Sequence, residues 1–418
     1  MREHDSVGPS RAPGHDRRVL FASITVGNGH LVAAEAGAAW LRTLVPEGVG
    51  VDVLDFIRAV GDLELDRRHK ASWRWMLRHP WSAYYGQRLL DEVVPPAWTR
   101  AVQGRMLRAH AKRAAAWLQR HPYRLVVCTH FFTAHALVIA RRRHGLRVPI
   151  VTLSPDAFDA HVLWAQPEVD AFAVYSAAAA RDLIRRGVPE QRVRVLPPVL
   201  RPAFQESCDR ATHTAARARL GLPADAFVAL WSAGGEGVAG PLERVLARLR
   251  TAGTMEPPAP RELAIVVLCG RNEELRERLA AADEELPGIR VIPLGFRDDV
   301  RELLCAADLS VGKAGPATTF EALISGRPVL FTDYAAANER ALVDHVVAEE
   351  AGRLERRPDR IADLLQRWRA SDDELDRLRE AVRALGVRNG GPEFARWLLA
   401  TFPSVAEEQV PTDPDGRT

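Results

Sequence analysis

Residues 310–327, Ser-Val-Gly-Lys-Ala-Gly-Pro-Ala-Thr-Thr-Phe-Glu-Ala-Leu-Ile-Ser-Gly-Arg, hold the side-chain types that grip a nucleotide diphosphate. A short apolar strand over 308–311 runs into a glycine turn at Gly315. Pro316 stands where the first turn of a helix tolerates proline, because only an orphan donor is lost there. Thr318 and Thr319 set hydroxyls beside the free N–H groups of that turn, and such donors at the positive end of a helix dipole attract phosphate oxygens. Glu321, about one turn later, is placed to accept hydrogen bonds from ribose hydroxyls. Lys313 stands out because the chain's other lysines are only Lys70 and Lys112.

A second constellation, Thr25-Val-Gly-Asn-Gly29-His30, lies between the first predicted strand and its helix. Glycine lets a backbone approach a ligand closely. His30 falls at the helix start, where the dipole disfavours imidazolium, so it reads as a neutral catalytic base. A dinucleotide fingerprint followed by Asp52 and Asp55 is the rival reading, but Val32 occupies its third glycine position. A plain capping turn is the other alternative. Asp156 and Asp159 are candidate orienting partners for His30. His130, His135 and His161 are secondary candidates, each equally readable as a hydrogen-bonded wall of a cleft.

Three further glycine turns follow predicted strands in the same half as the phosphate turn. They are Gly234-Gly235-Glu236-Gly237, Cys269-Gly270-Arg271-Asn272 and Leu294-Gly295-Phe296-Arg297. Successive backbone N–H groups in such turns form anion-binding concavities. No cysteine or histidine spacing suits a metal. Asp413-Pro-Asp415, the one Asp-x-Asp spacing of note, sits in a polar tail. Neither a metal nor another cofactor is expected.

These turns need strands to hold them. Apolar runs over 19–25, 51–56, 125–129, 149–153 and 171–175 alternate with helical stretches, the first of them over 31–44. The pattern restarts over 227–231, 264–269, 289–293, 309–311 and 328–331. Short apolar strands separated by helices imply parallel sheets covered on both faces, so the fold class is α/β with two doubly wound, Rossmann-like domains facing across a cleft. A length of 418 residues agrees with two domains at roughly 100–200 residues each. The expected layout is a disordered N-terminus (1–17), a first Rossmann-like domain (18–200), a linker (201–221) and a second Rossmann-like domain (222–385) that carries the phosphate turn. A crossover helix (386–402) and a disordered tail (403–418) complete it.

Residues 67–110 break the alternation. No strand is predicted there, and basic residues are mixed with Trp73, Trp75, Trp81, Tyr84 and Tyr85. Rings at headgroup depth with charges toward anionic lipid would make this an interfacial element; an ordinary helical insert with inward aromatics is the alternative. Net charge is only +3 in a chain that is 47% hydrophobic and 27% charged, so no nucleic-acid partner is expected. The four cysteines lack paired spacing and Cys128 and Cys269 lie in apolar runs, which predicts free thiols in a reducing compartment. Without an apolar leader or a run of ~20 apolar residues, the expectation is a cytoplasmic protein, peripheral on the inner face of the plasma membrane.

The ordered motifs resemble the monogalactosyldiacylglycerol synthases and processive diacylglycerol glucosyltransferases, relatives of the peptidoglycan glycosyltransferase that extends lipid I. The Gly27-Asn28-Gly29-His30 turn with Ala33 to Ala36, Asp156 to His161 with Trp164, and all four carboxyl-half turns carry the likeness. It implies a GT-B fold and inverting, metal-independent transfer from a nucleotide-diphosphate sugar to a lipid hydroxyl. By this resemblance His30 and Asp156 are catalytic. Gly29, Gly234, Gly235, Gly237, Arg271, Asn272, Phe296, Lys313, Gly315, Pro316, Thr318, Thr319, Glu321, Asn338 and Glu339 hold the donor, and Phe158, His161 and Trp164 the acceptor. Ala337-Asn338-Glu339 replaces the family's Gly-Gln-Glu, Leu342 replaces a later Asn, and the hinge at 197–202 lacks the usual Gly, which leaves the sugar open. Rival functions are transfer to a soluble natural product, a nucleotide-sugar epimerase, and a non-catalytic sensor.

Overall fold

Val19 and Phe21 pack into one core while Leu20 and Ala22 pack into another, so the first strand is apolar at successive positions because both its faces are covered. The same division recurs in the second half, with Phe227, Ala229 and Trp231 on one side and Val228 and Leu230 on the other. The computed structural model describes residues 18–25, 29–234, 237, 240–251, 261–281 and 288–407. Gly27, Asn28, Gly235, Glu236 and the terminal segments 1–17 and 408–418 lie outside the described residues.

The first sheet comprises β1 (Arg18–Ser23), β2 (Gly50–Asp55), β3 (Leu125–Cys128), β4 (Ile150–Leu153), β5 (Ala171–Val174) and β6 (Val193–Val195). Its order is β2-β1-β3-β4-β5-β6, parallel throughout. The second comprises β7 (Phe227–Ser232), β8 (Leu263–Leu268), β9 (Ile289–Leu294), β10 (Leu309–Lys313), β11 (Val329–Asp333) and β12 (Gly352–Leu354). Its order is β12-β11-β10-β7-β8-β9, again parallel. This is the expected doubly wound α/β class. The edge strands β6 and β12 were not anticipated, because three residues are too few to register as a run.

In each sheet the strand order reverses at one point, between β1 and β3 and between β7 and β10. Open α/β sheets bind ligands there, beyond the carboxyl ends of the strands. The turns after β1, β3, β7 and β10 carry His30, His130, Gly234 and Gly315, so topology alone gathers the candidate chemistry.

The helix Gly391–Thr401 packs its Phe394, Ala395 and Leu398 into the first sheet's core beside Phe21 and Ala34. Asn389 fixes that crossing: its amide donates to the carbonyls of Leu200, Arg201 and Phe204, and its oxygen accepts from the N–H groups of Leu200 and Gly391. Gly390 has to be glycine, since a Cβ would collide with the Pro197 carbonyl. One cysteine expectation is corrected. Cys208 and Cys305 form a disulfide, joining the segment before the helix Arg210–Arg219 to the helix Val300–Ala306. Ninety-seven residues separate them, which is why spacing gave no hint of the pair. Cys128 and Cys269 are free and buried, as read.

Candidate active site

His30 stands on the first turn of the helix Gly29–Arg42, partly exposed. Its Nδ1 lies 2.6 Å from the Thr129 carbonyl, an acceptor only, so Nδ1 carries the proton and donates. Nε2 is then left with the lone pair. Burial holds the imidazole below its ordinary pKa, against Asp156 and the Thr129 carbonyl, which pull it upward; His161 adds to the lowering. The neutrality expected from the helix dipole therefore has desolvation as its main cause. The orienting partner is Thr129 rather than Asp156 or Asp159, which corrects the sequence expectation.

Asp156, on the segment after β4, is buried. Its Oδ2 accepts the Trp164 indole N–H at 2.6 Å and lies 3.4 Å from His161 Nε2. Its Oδ1 accepts an amide N–H of Asn338, across the domain junction, at 2.7 Å. Burial alone would raise this carboxyl's pKa, but His161, His30 and Trp164 together hold it below the usual range. A charged carboxylate thus sits near His30 and acts on it through charge. Asp159 differs: burial, with Asp91 and Asp182 nearby, pushes it up to about 6, against the opposing pull of His161.

The secondary histidines are structural. His130 caps the helix Phe131–His144 by accepting the Phe132 N–H. His135 donates from Nε2 to the Leu163 carbonyl and accepts from Gln166 at Nδ1. His69, which sequence reading passed over, comes from the helix Leu63–Arg78. Its ring is 5.5 Å from that of His130, and its buried Nε2 has no hydrogen-bond partner among the described residues. A histidine on a long polar helix carries no local signal; only the fold brings it here.

On the other side, Gly315 precedes the helix Pro316–Ile324 and Pro316 begins it, as expected. Thr318 is partly exposed and Thr319 is buried. The helix touches Gly29–Arg42 across the junction, so the element that carries the phosphate turn packs against the element that carries His30. Lys313 pairs with Glu339, whose second oxygen accepts the Ala335 N–H at 2.6 Å. Glu321 is buried, and its Oε1 accepts from Nε of Arg201 at 2.9 Å. Arg201, a linker residue, was not singled out because nothing local marks its partner.

Among the outer turns, Phe296 is exposed and carries the Arg271 guanidinium 5.7 Å from its ring centre. Asn272 is committed internally: it caps the helix Glu273–Ala281 at the Leu275 N–H and donates to the Gly237 carbonyl. At Gly237 the backbone has φ +67°, and a Cβ would strike Asn272. These two residues shape the turn rather than face a ligand.

Several expected acceptor and membrane residues are relocated. Trp164 and His161 are both buried, and Trp164 serves Asp156. Phe158 lies 4.0 Å, ring centre to ring centre, from His345 of the second domain, closing the junction. In the insert Trp75, Trp81 and Tyr85 are exposed, but Trp73 packs beside Ile24 and Ile57, and Tyr84 meets Tyr334. Leu89, Trp98 and Met106 are exposed as well.

Residues 75–199 match the family model described as monogalactosyldiacylglycerol (MGDG) synthase, and residues 243–381 match the glycosyltransferase family 28 C-terminal domain. The chloroplastic monogalactosyldiacylglycerol synthase 2 of Arabidopsis thaliana is 26% identical over 94% of this chain and 82% of its own length. Among solved structures, MurG of Acinetobacter baumannii has a TM-score of 0.57 at 13% identity, covering 92% of this chain and 99% of that one. Anabaena HepE in complex with UDP-glucose has 0.50 at 15%, covering 93% and 99%. The fold is the GT-B arrangement that the motifs implied. The expected placement in the cytoplasm at the inner face of a plasma membrane is contradicted by the relatives: those from Arabidopsis, rice and spinach are named chloroplastic.

Proposed function

We propose that this chain, which belongs among the monogalactosyldiacylglycerol synthases and family 28 glycosyltransferases, moves a hexose from a UDP-sugar to a diacylglycerol-type hydroxyl with inversion at the anomeric carbon. The observation that carries the reading is the Nδ1–H bond from His30 to Thr129, which leaves Nε2 as a lone-pair base on a helix that touches Pro316–Ile324. The acceptor oxygen attacks the anomeric carbon, and its proton passes to His30 Nε2. The bond from that carbon to the diphosphate oxygen breaks, and the electron pair leaves on the phosphate. Free N–H groups and the Thr318 hydroxyl stabilise that growing negative charge without reorganising. The new imidazolium is favoured by the Asp156 carboxylate. Glu321 presents its second oxygen to a ribose hydroxyl, and Phe296 with Arg271 offers a surface for the base. No metal or cofactor enters this scheme; the nucleotide sugar is a co-substrate.

The exposed Trp75, Trp81, Tyr85, Leu89, Trp98 and Met106 give the insert an apolar reason to sit at a lipid surface. No helix among the described residues is long and apolar enough to cross a membrane. The test is incubation with a panel of nucleotide sugars and diacylglycerol vesicles, neutral and anionic, followed by mass analysis of the lipids. A new hexosyl-diacylglycerol is expected. Turnover of the nucleotide sugar to an isomer without any acceptor product would instead identify an epimerase.

A further inference from the structure

The helix Pro80–Glu92 works on two faces. Trp81, Tyr85 and Leu89, four residues apart and so on one side, are 63%, 66% and 58% exposed. Gln87 and Asp91, also four apart, point another way and reach both domains. Asp91 Oδ1 accepts the Val162 backbone N–H at 2.6 Å and an N–H of Arg186 at 3.2 Å. Val162 directly follows His161 and lies two residues before Trp164, the pair that meets Asp156 Oδ2. Gln87 accepts the Ala337 backbone N–H at 3.3 Å. Ala337 directly precedes Asn338, whose amide serves Asp156 Oδ1. One turn of this helix therefore braces the backbone behind both sides of the hydrogen-bond shell of Asp156, one side in each domain.

We propose that Gln87 and Asp91 are positioning residues for sugar transfer, fixing the segments that set Asp156 near His30 and tying the exposed face of their helix to the reaction centre. The inference rests on the lipid-transferase reading above. Displacing a catalytic group by about 1 Å is enough to lower a rate on the order of a hundredfold. Removing Asp91 does not strand its cationic neighbour, since Arg186 also lies 3.7 Å from Asp182. Truncation is therefore compatible with folding.

The test uses the full chain with a nucleotide sugar and diacylglycerol vesicles. Asp91→Ala and the double variant Q87A/D91A are expected to lose kcat by about ten- to a hundredfold. The donor KM, vesicle cosedimentation and melting temperature should stay at wild-type values. Asp91→Asn, whose amide oxygen accepts the same Val162 N–H, should recover most of the lost kcat. Wild-type kcat in the double variant overturns the proposal, and so does a loss that tracks vesicle binding or melting temperature. If wild type makes no glycolipid, the function reading fails separately. The brace is then read from hydrolysis of the nucleotide sugar, where equal rates for wild type and Asp91→Ala overturn it.

Discussion

At the scale of single residues, the site turns on how two neighbouring groups, His30 and Asp156, set each other's charge. His30 must be neutral to take a proton, and burial keeps it so below the pH at which an ordinary histidine protonates. The acid limb of kcat/KM should accordingly lie below the usual histidine range. Asp156 opposes that lowering through its negative charge. Asp156→Asn keeps an acceptor for the Trp164 indole but removes the charge, so the His30 pKa drops further. The limb should move to still lower pH while the maximal rate falls, because the imidazolium formed in the transition state loses its counter-charge. A pH profile that is unchanged in this variant would mean that Asp156 does not act on the base. Thr129 adds a constraint invisible in its own residue type, since its carbonyl alone fixes the tautomer.

At the scale of elements, the proposed reaction has the helix Pro316–Ile324 offer its first turn to a diphosphate and its second, through Glu321, to a ribose. Glu321→Ala should weaken nucleotide binding about tenfold, the effect of losing one hydrogen bond to a charged group. Binding calorimetry with the nucleotide checks this, and an unaltered affinity removes Glu321 from the donor site. This element was legible in the sequence because its signals are local: a glycine turn and a proline after an apolar run mark where the helix begins. The core strands were legible for a similar reason, their apolar runs being set by burial on both faces. What escaped were partnerships made only by the closed fold. Arg201 meets Glu321 across 120 residues, and Asn338 meets Asp156 across 182. His69 joins His130 from a different helix. The insert was read correctly as helical and aromatic, yet composition could not say which rings turn outward. Helical phase decides that, and it turned Trp73 and Tyr84 inward.

At the scale of the whole molecule, two sheets meet through a junction made of specific bonds, from Asp156 to Asn338, Gln87 to Ala337, and Arg201 to Glu321. Two histidines of the first domain couple the fold to pH. His69 and His135 are each held down to about 4 by burial. In the unfolded chain they protonate near 6.5. The unfolded state thus binds more protons between these values, and stability is lost as the pH falls from about 6.5 toward about 4, by on the order of 3 kcal/mol for each imidazole. Thermal melts across that window should show a steady fall in Tm, and a flat profile would contradict the buried, neutral assignment. The account as a whole stands on one base facing one diphosphate turn. Turnover and nucleotide affinity measured together for His30→Ala test that most directly. A loss of kcat of about 10²–10⁴-fold with nucleotide affinity unchanged is predicted. Near-wild-type turnover would contradict it.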